Sequence, residues 1–323
     1  MTAIPVAMRP RVSKQMILEV VDVRDLSPKV RSFSFASISG QQLPAFVPGS
    51  HIVVELGSKS NSYSLTGSGQ YPDAYTISVA LAPEGNGGSK AMHQLQVGDS
   101  IKVSYPRSAF APVASARHHL FIAAGIGITP ILSHARAAEE LGRSSSLMYV
   151  FRPTSGVHLQ ECRSIYGTTL TEYTDRESFN SSLRSALLNQ PIGTHLYVCG
   201  PAGFMSSVLR LAEEMGWPTE RLHSEHFEAD VQGPGKNFQV TLAQSGQTIT
   251  VPGTKSLLEA LEGIGISVPN MCRKGVCGEC AVPVLKGRVE HRDLYLTDEE
   301  KALHETVMCC VSRAQEQELE LDL

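Results

Sequence analysis

The spacing of hydrophobic residues changes twice along this chain of 323 residues. Between about residues 16 and 112, apolar and polar positions alternate in short runs rich in Val, Ile and Phe, a pattern that predicts β-strands. The predicted strands span 16–23, 30–36, 51–56, 62–66, 75–80 and 100–104. Because Gly, Pro, Asp and Ser separate these runs, the pattern predicts a small, six-stranded antiparallel β-barrel.

Beyond residue 112, predicted strands alternate with helices, which is typical of an α/β, doubly wound parallel sheet. The strands are predicted at 120–124, 147–151, 169–173 and 196–199, and the helices at 130–141, 181–188 and 202–216. A Gly- and Pro-rich stretch at 231–236 ends this pattern, and strand-like sequence resumes at 237. The predicted domains are therefore 13–113, 114–229 and 237–323, with a linker at 230–236.

Composition narrows the possible functions. The formal charge is −4 and no basic tract is present, which argues against nucleic-acid binding. The longest apolar run, 120–132, is broken by Gly and Pro, and the N-terminus lacks a signal-peptide pattern, so neither secretion nor membrane insertion is expected. The seven cysteines do not form a disulfide framework. We therefore expect a cytoplasmic protein that is a monomer on its own.

Four cysteines near the C-terminus carry the clearest chemistry. Cys272, Cys277 and Cys280 are spaced C-x4-C-x2-C, and Cys310 follows much later. This spacing resembles that of plant-type ferredoxins, in which four thiolates hold a [2Fe–2S] cluster. Four thiolates also suit structural zinc, which remains an alternative. Of the doublet Cys309-Cys310, the resemblance favours Cys310, which precedes Val-Ser as the ferredoxin ligand does.

Two further motifs follow predicted strands of the α/β domain. Gly125 and Gly127 in Ala-Gly-Ile-Gly-Ile-Thr-Pro allow a tight turn before a helix whose N-terminus would attract a pyrophosphate. An ordinary turn between a strand and a helix is the alternative. A second motif, Cys-Gly-Pro, ends a later strand, where parallel sheets bind their ligands. The candidate nucleotide-binding residues are Gly125, Gly127, Thr129, Pro130, Cys199, Gly200 and Pro201.

These motifs, in this order, resemble the ferredoxin–NADP reductase-like superfamily. Over essentially the whole chain, the order of a flavin domain, a nicotinamide domain and a C-terminal ferredoxin domain resembles the phthalate dioxygenase reductase group. That resemblance implies a flavin-binding barrel, an NAD-binding domain and an α+β ferredoxin domain of the β-grasp type. It also implies a partner, because reductases of this group supply electrons to Rieske-type oxygenases.

The resemblance also implies a flavin site. The family motif Arg-x-Tyr-Ser corresponds here to Asn61, Tyr63 and Ser64, followed by Leu65, so the motif arginine is absent. The tyrosine would lie beside the flavin ring, and the serine would hydrogen-bond to it. A second segment, comprising Gly87, Gly88, Ser89 and Lys90, would bind the flavin phosphate. The family habit favours FMN, and FAD is the alternative.

Three more residues are candidates by the same resemblance. Glu225 and Phe227 match a Glu-x-Phe segment near the flavin ring, although Phe227 could equally be a core residue. Asp175 lies in a loop near the adenosine ribose, where a carboxylate accepts a hydrogen bond from a free 2′-hydroxyl. The neighbouring Arg176 would favour a 2′-phosphate instead. We follow the family habit and expect NADH.

The cofactor order predicts a reductase component that passes electrons from NADH through FMN and a [2Fe–2S] cluster to a Rieske-type oxygenase. Aromatic hydroxylation or demethylation is the reaction that such an oxygenase would perform. One alternative is a reductase of the same build, with FMN or FAD, that serves another acceptor such as a haem oxygenase. An alternative of a different class is a zinc-stabilised binding protein without redox activity.

Overall fold

The computed structural model describes residues 15–57, 59–83, 87–108, 110–227, 235–270, 272–275 and 277–323. Within these ranges the chain forms two compact units. One comprises Gln15–Lys59 and Tyr63–His226, and the other comprises Ser60–Ser62 and Phe227–Leu323. The predicted linker at 230–236 falls largely outside the described residues, as do residues 13 and 14 of the first predicted domain.

Among the described residues before 109, the chain forms seven strands and a short helix. They are β1 (Gln15–Ser27), β2 (Val30–Ser37), β3 (Ser50–Leu56), β4 (Lys59–Ser64), β5 (Ala74–Ala80), α1 (Gly88–Met92), β6 (Ser100–Ser104) and β7 (Arg107–Ser108). All six predicted strands are present, and β7 is an additional two-residue strand paired with β3. The strand order is β4-β3-β6-β1-β2-β5, and Leu65, just after β4, makes an isolated bridge to Ile77 of β5.

Alternation along these strands produces a single apolar face. Phe33 and Phe35 of β2 are fully buried, and their rings stack 6.4 Å apart. Buried residues of the other strands, again spaced two apart, pack around them: Leu18, Val20, Ile52, Val54, Tyr75, Ile77, Val79, Ile101 and Val103. This period of two is the pattern from which the strands were predicted.

The following segment alternates strictly between strands and helices. Its elements are β8 (His118–Ala124), α2 (Ile128–Glu140), β9 (Ser145–Val150), α3 (Leu159–Tyr166), β10 (Leu170–Tyr173), α4 (Arg176–Leu188), β11 (Thr194–Cys199), α5 (Ala202–Glu214) and β12 (Leu222–Glu225). The strands pair in parallel in the order β10-β9-β8-β11-β12. The order reverses at β8, so the ends of β8 and β11 form the switch point at which such sheets bind ligands.

Two helices of this segment differ from the prediction. Helix α3 was not predicted, because it has only two buried residues, Cys162 and Tyr166, and follows His158 in a left-handed conformation rather than a capping side chain. Helix α4 begins at Arg176, five residues before the predicted start. The Asp175 carboxylate accepts a hydrogen bond from the Ser178 amide at 2.8 Å and so caps the helix.

Helix α2 joins the parallel sheet to the antiparallel one. Ser133 donates to the Gly67 carbonyl at 3.2 Å, and Arg136 donates to the Thr66 carbonyl at 2.5 Å. Arg136 also forms a bidentate pair with Glu161 of α3, with distances of 2.6 and 2.9 Å. Because residues 66 and 67 follow β4 directly, these bonds fix the end of β4 against α2.

A buried aromatic cluster lies beneath the same helix. The His134 ring packs against Phe110, Phe121 and Tyr197 with centroid distances of 5.2 to 5.3 Å. The Tyr197 hydroxyl accepts a hydrogen bond from the Val113 amide at 2.8 Å, which anchors the connection between the two sheets. Burial lowers the pKa of His134 to about 3, so this histidine is neutral near pH 7.

The C-terminal unit contains β13 (Phe238–Leu242), β14 (Thr248–Val251), α6 (Leu257–Gly263), β15 (Ala281–Lys286), β16 (Val289–Glu290), α7 (Asp298–Leu303), β17 (Thr306–Met308), β18 (Arg313–Ala314) and β19 (Glu318–Leu321). A mixed sheet has the order β14-β13-β19-β15-β17, and β16 pairs with β18. Capping boxes at Ser256 and Thr297 start the two helices. Throughout the described ranges, no helix combines the length and apolar character needed to cross a bilayer.

Candidate functional site

The two predicted nucleotide motifs meet at the switch point of the parallel sheet. Residues 118–123 of β8 pair in register with 194–199 of β11, so Ala123 lies opposite Cys199. A Cβ on Gly127 would lie 2.3 Å from the Cys199 carbonyl oxygen, and one on Gly200 would lie 2.8 Å from the Ala124 Cβ. Both glycines are therefore required sterically, because the two strand ends approach each other closely.

Helices α2 and α5 begin at this edge without side-chain caps. Gly127 and Pro201 occupy the N-cap positions, and neither supplies a capping hydrogen bond. Gly125 has a φ of 55°, and the buried Thr129 donates its hydroxyl to the Ile126 carbonyl at 3.0 Å. Pro130 lies in the first turn of α2, where its lack of an N–H is tolerated. A 3₁₀ turn at Gly125–Gly127 leads into α2, and the Ile128 amide at its end donates to the Gly125 carbonyl. The amides that begin this turn and those that begin α5 precede the first intrahelical bonds and can bind an anionic group.

Gly127 gives a direct test of this close approach. Gly127→Ala is expected to lower the free energy of unfolding by about 1–3 kcal/mol and to weaken nucleotide binding, because the new methyl group would push β8 and β11 apart. Gly203→Ala, in the first turn of α5, is the matched control, since nothing lies within 4 Å of its added Cβ. Urea denaturation and a nucleotide titration of both variants measure the effect. Equal results for the two variants would contradict the expectation.

Three predicted residues from distant parts of the sequence lie together at this edge of the parallel sheet. The Ser64 hydroxyl donates to the Glu225 carboxylate at 3.2 Å, although the residues are 161 positions apart. Glu225 is the last residue of β12 and lies opposite Cys199 in the register with β11. Ser64, Cys199 and Glu225 thus join the end of β4 to the ends of β11 and β12.

The protonation states of this group follow from burial. The Glu225 residue as a whole is only partly buried, but its carboxyl group is enclosed by protein, and this burial raises its pKa to about 8, while the Ser64 hydrogen bond opposes the shift. Burial also raises the pKa of the Cys199 thiol well above its usual value. The cysteine is therefore a neutral thiol and the glutamate is largely protonated near pH 7.

The remaining flavin candidates occupy β4 and the start of α1. Asn61 and Leu65 are buried, and Tyr63 packs against the apolar face of the antiparallel sheet. Gly87 has a φ of 89° and precedes α1, which contains Gly88, Ser89 and Lys90. The Ser89 hydroxyl accepts a hydrogen bond from the Ala82 amide at 3.0 Å, and Lys90 is exposed. The structure thus gives Ser89 a role in holding its own loop that the sequence did not indicate.

Asp175 and Phe227 lie at element boundaries. Both Asp175 oxygens are engaged by Ser178, one by its amide and one by its hydroxyl at 2.9 Å, and the amide bond is the larger cause of a lowered Asp175 pKa. The signal for this cap was present in the sequence as Asp followed three positions later by Ser. Phe227 follows β12 by two residues and is partly buried.

In the C-terminal unit, the four predicted cysteine ligands are buried and lie as two pairs. The side chains of Cys272 and Cys277 are hydrogen-bonded to each other, as are those of Cys280 and Cys310. Among the described side chains, no three Cys, His, Asp or Glu converge as ligands of one metal ion would. Two pairs of thiols match the needs of two irons, each of which takes two thiolates.

The backbone around these thiols also fits an iron–sulfur cluster. Gly275 and Gly278 have φ values of 73° and 77°, a region that favours glycine, and Arg273 shares it at 53°. The Cys272 amide donates to the Cys277 sulfur at 3.4 Å, and the Lys274 amide donates to the Cys272 sulfur at 3.3 Å. The loop therefore turns amides toward the sulfurs, a contact that stabilises thiolate-bound clusters.

Cys309 differs from its neighbour Cys310. It is fully buried within the apolar core of the unit, and burial raises the pKa of its thiol well above the usual value. Its backbone carbonyl accepts a hydrogen bond from the Leu258 amide at 2.8 Å, and its amide donates to the Cys280 carbonyl at 3.1 Å. Cys309 is thus a packing residue that holds Cys310 near Cys280.

Two family models match separate parts of the chain. Residues 99–222 match the family model of the dimethylamine monooxygenase subunit DmmA-like N-terminal domain. Residues 240–315 match the 2Fe-2S iron-sulfur cluster binding domain. The second match contains all four candidate ligands and shows a 2Fe–2S domain in place of the alternative zinc-stabilised binding protein.

Similar proteins are reductase subunits of oxygenase systems. The chain is 39% identical to the heme-dependent oxidative N-demethylase beta subunit of Ectopseudomonas mendocina, covering 95% of this chain and 98% of the relative. It is 38% identical to the carnitine monooxygenase reductase subunit of Acinetobacter baumannii, covering 94% and 96%. It is 35% identical to the phthalate 4,5-dioxygenase oxygenase reductase subunit of Pseudomonas putida, covering 95% and 96%.

Solved structures give the same result for the fold. Phthalate dioxygenase reductase, described as a modular structure for electron transfer from pyridine nucleotides to [2Fe–2S], superposes with a TM-score of 0.74 at 31% identity, covering 96% of this chain and 98% of that one. An intact type IV self-sufficient cytochrome P450 monooxygenase superposes with a TM-score of 0.82 at 32% identity, and this chain spans 41% of its length. The chain therefore belongs to the phthalate dioxygenase reductase-like family of oxygenase reductase subunits, with a flavin and NAD reductase fold followed by a 2Fe–2S domain.

Proposed function

We propose that this reductase transfers electrons from NADH through FMN and its [2Fe–2S] cluster to a separate Rieske-type oxygenase. A bound flavin would accept two electrons as a hydride and release them one at a time, and would thus match a two-electron donor to a one-electron cluster. We assign the flavin to residues 13–113, the nicotinamide to 114–229 and the cluster to 237–323. The observation that carries the proposal is the pairing of Cys272 with Cys277 and of Cys280 with Cys310.

A contact between the outer strands of the antiparallel sheet supports the assignment of the flavin domain. The outer strands of the antiparallel sheet, β4 and β5, are linked by the Leu65–Ile77 bridge and by a hydrogen bond from the Thr66 amide to the Thr76 carbonyl at 2.9 Å. We infer that this contact closes the sheet into the barrel of the flavin-binding family. We also propose that the mixed sheet and α6 form the β-grasp of a plant-type ferredoxin, which the match of residues 240–315 to the 2Fe–2S domain supports.

In the flavin site, we assign direct contacts to residues at the end of β4. Tyr63 would lie beside the flavin ring, Ser64 would hydrogen-bond to it, and Asn61 and Leu65 would complete the pocket. Gly87, Gly88, Ser89 and Lys90 would hold the phosphate. The helix start after Gly87 supplies backbone N–H groups, and Lys90 supplies a positive charge in place of the absent motif arginine.

In the nucleotide site, the backbone amides at the ends of β8 and β11 would bind the pyrophosphate. The residues are Gly125, Gly127, Thr129, Pro130, Cys199, Gly200 and Pro201. Glu225 and Phe227 would border the nicotinamide. Because Glu225 is largely protonated near pH 7, it can donate a hydrogen bond without placing a full charge beside a reduced flavin.

The oxygenase that accepts the electrons could belong to a second class. The relative from Ectopseudomonas mendocina is named a heme-dependent demethylase subunit, and it is 39% identical over 95% of this chain. This likeness favours a haem oxygenase as the alternative acceptor. The visible spectrum of the oxygenase encoded nearest to this reductase separates the two, because a haem protein has an intense Soret band and a Rieske protein does not.

An anaerobic titration with NADH, followed by visible absorbance, tests the electron path. We expect both flavin and iron–sulfur bands to bleach with about three electrons per chain, two on the flavin and one on the cluster. Identification of the released flavin distinguishes FMN from FAD. A flavin that bleaches in a protein without acid-labile sulfide would overturn the assignment of the cluster.

Asp175 provides a test of cofactor choice that preserves the helix cap. Asp175→Asn keeps an N-cap acceptor for Ser178 but removes the charge that repels a 2′-phosphate. We expect the ratio of kcat/KM for NADH to that for NADPH to fall by about tenfold. Glu177→Gln, which removes a charge from the same first turn, is the control. An unchanged ratio in Asp175→Asn would remove Asp175 from the ribose site.

A further inference from the structure

A short segment of the C-terminal unit packs directly onto the cysteine loop. Residues 291–296, here called the strap, connect β16 to the start of α7. A Cβ on Gly275 would lie 3.1 Å from the Asp293 Cα, and a Cβ on Gly278 would lie 2.3 Å from the Tyr295 ring. The Leu294 amide also donates to the Gly275 carbonyl at 2.9 Å. Alternate residues of the strap thus pack on the two glycines of the loop.

The strap is held by the carboxyl group of Asp293, which is buried and accepts hydrogen bonds on both oxygens. One oxygen accepts from the Ser312 hydroxyl at 3.0 Å and lies 3.3 Å from the His291 Nδ1. The other accepts from the Leu296 amide at 3.0 Å. The Ser312 hydroxyl oxygen in turn accepts from the Arg292 amide at 3.1 Å. Asp293 therefore links the strap to the segment that carries Cys310.

The two thiol pairs are supported in different ways. Cys280 and Cys310 are fixed by the sheet, because β15 begins at the residue after Cys280 and pairs with β17, which ends two residues before Cys310. Cys272 belongs to no strand and lies between α6 and β15. The loop from Cys272 to Gly275 is attached through Gly275 to the strap. The strap therefore contributes to the position of the first pair relative to the second, together with the ion pair between Arg273 of the loop and Glu262 of α6.

We propose that Asp293 is a positioning residue of the iron–sulfur centre, which sets the distance between the Cys272–Cys277 and Cys280–Cys310 pairs and lowers the reduction potential of the cluster. The inference rests on the proposed function, because it requires a [2Fe–2S] cluster on these cysteines. A buried negative charge close to the cluster loop disfavours the addition of an electron. Arg292 does not offset this charge, because its guanidinium is paired with Glu290 at 2.8 Å.

Three variants of the full-length protein separate the effects of geometry and charge. Asp293→Asn removes the charge and one acceptor, whereas Ser312→Ala breaks the link to the Cys310 segment and keeps the charge. Glu316→Gln removes an exposed charge from the same unit and is the control. The measurements are the reduction potential of the cluster, followed by visible circular dichroism, and the rate at which an iron chelator bleaches it.

We expect Asp293→Asn to raise the ratio of reduced to oxidised cluster about tenfold at a fixed solution potential. This corresponds to a reduction potential that is higher by about 59 mV for one electron. Iron loss should accelerate about tenfold or more in both Asp293→Asn and Ser312→Ala, as is typical when a residue that supports metal ligands is removed. Ser312→Ala should shift the potential by much less, because it keeps the charge. Glu316→Gln should match the wild type in both measurements.

The outcomes separate this inference from the proposed function. A wild-type protein without iron and sulfide would end the proposed function itself. A wild-type cluster together with an Asp293→Asn potential equal to that of Glu316→Gln would overturn the inference alone. If Asp293→Asn binds flavin but assembles no cluster, the positioning role is supported, and Ser312→Ala then supplies the kinetic test. Iron loss from Ser312→Ala at the wild-type rate would contradict the role of the strap.

Discussion

Cys310→Ser is expected to abolish electron transfer to the oxygenase while NADH still reduces the flavin. Cys310 lies beside Cys280 as the second thiol of its pair, and a serine oxygen is a poor ligand for iron in a site built for thiolates. Without a stable cluster, the one-electron route from flavin to partner is lost. We expect oxygenase-coupled turnover to fall at least about a hundredfold, within the range seen when metal ligands and their supports are altered.

Cys309→Ala is the matched control, because Cys309 is the adjacent residue and the same type of side chain. Its thiol is enclosed by the apolar core, so its removal leaves a small cavity that costs about 1 kcal/mol of folding free energy. The cluster should remain. Iron and sulfide content, the visible spectrum and NADH oxidation with ferricyanide, which accepts electrons from flavin directly, distinguish the two variants. A cluster retained in Cys310→Ser and lost in Cys309→Ala would reverse the ligand assignment.

Glu225→Gln is expected to remove a large pH dependence from the free energy of unfolding of the unit that contains the antiparallel and the parallel sheet. Burial raises the Glu225 pKa from 4.5 to about 8 in the folded protein. Between these values the folded state holds a proton that the unfolded chain releases. The stabilisation from this group is therefore complete below about pH 4.5 and is lost as the pH rises through 8.

The size of this pH dependence follows from the pKa shift of Glu225 and from the exposure of the residue. Each pKa unit corresponds to about 1.4 kcal/mol, but Glu225 is only partly buried, so we expect a loss of about 2–3 kcal/mol between pH 5 and 8. Buried histidines act in the opposite sense. Burial lowers the His134 pKa to about 3, so its contribution is present above about pH 6.5 and is lost as the pH falls. The difference between the pH profiles of wild type and Glu225→Gln isolates the contribution of Glu225 to the free energy of unfolding.

The single tryptophan, Trp217, lies in the relevant unit and provides the signal. Urea titrations followed by its fluorescence at pH 5, 6, 7 and 8, with flavin bound, give the free energy of unfolding for wild type and Glu225→Gln. Glutamine retains a hydrogen-bonding partner for Ser64. Glu213→Gln, an exposed change on α5, is the control. Parallel pH profiles for wild type and Glu225→Gln would show that Glu225 ionises normally.

The local pattern of the sequence was enough to predict most elements of the antiparallel and parallel sheets, which precede residue 226, whereas in the C-terminal unit it predicted only the strand that starts near residue 237. The alternation around Phe33 and Phe35 predicted β2, because a strand with one buried face has an apolar residue at every second position. The continuous apolar run before Gly125 predicted β8, because a strand buried on both faces is apolar throughout. The cysteine spacing indicated a 2Fe–2S domain because it, too, is a local feature of the sequence. Cys272, Cys277 and Cys280 lie in one short loop, whose geometry depends on local backbone conformation and on glycines at positive φ.

Helix boundaries were less certain from sequence, since they depend on particular caps. The start of α4 was missed because the competing preference for a loop at Thr174 and Asp175 hid the N-cap role of Asp175. Helix α3 was missed because its amphipathic signal covers only two turns. In both cases, hydrogen bonds and packing supplied what the periodicity alone did not show.

The sequence by itself determined the order of the domains, the cluster motif and the two glycine motifs, because these depend on residues that are close together in the chain. Tertiary structure decided which of the distant residues meet. The Ser64–Glu225 bond, the closeness of Gly127 to Cys199 and the link from Asp293 to Ser312 all depend on strand pairing across long separations. Such pairings reflect the free energy of the whole fold, which no local pattern specifies.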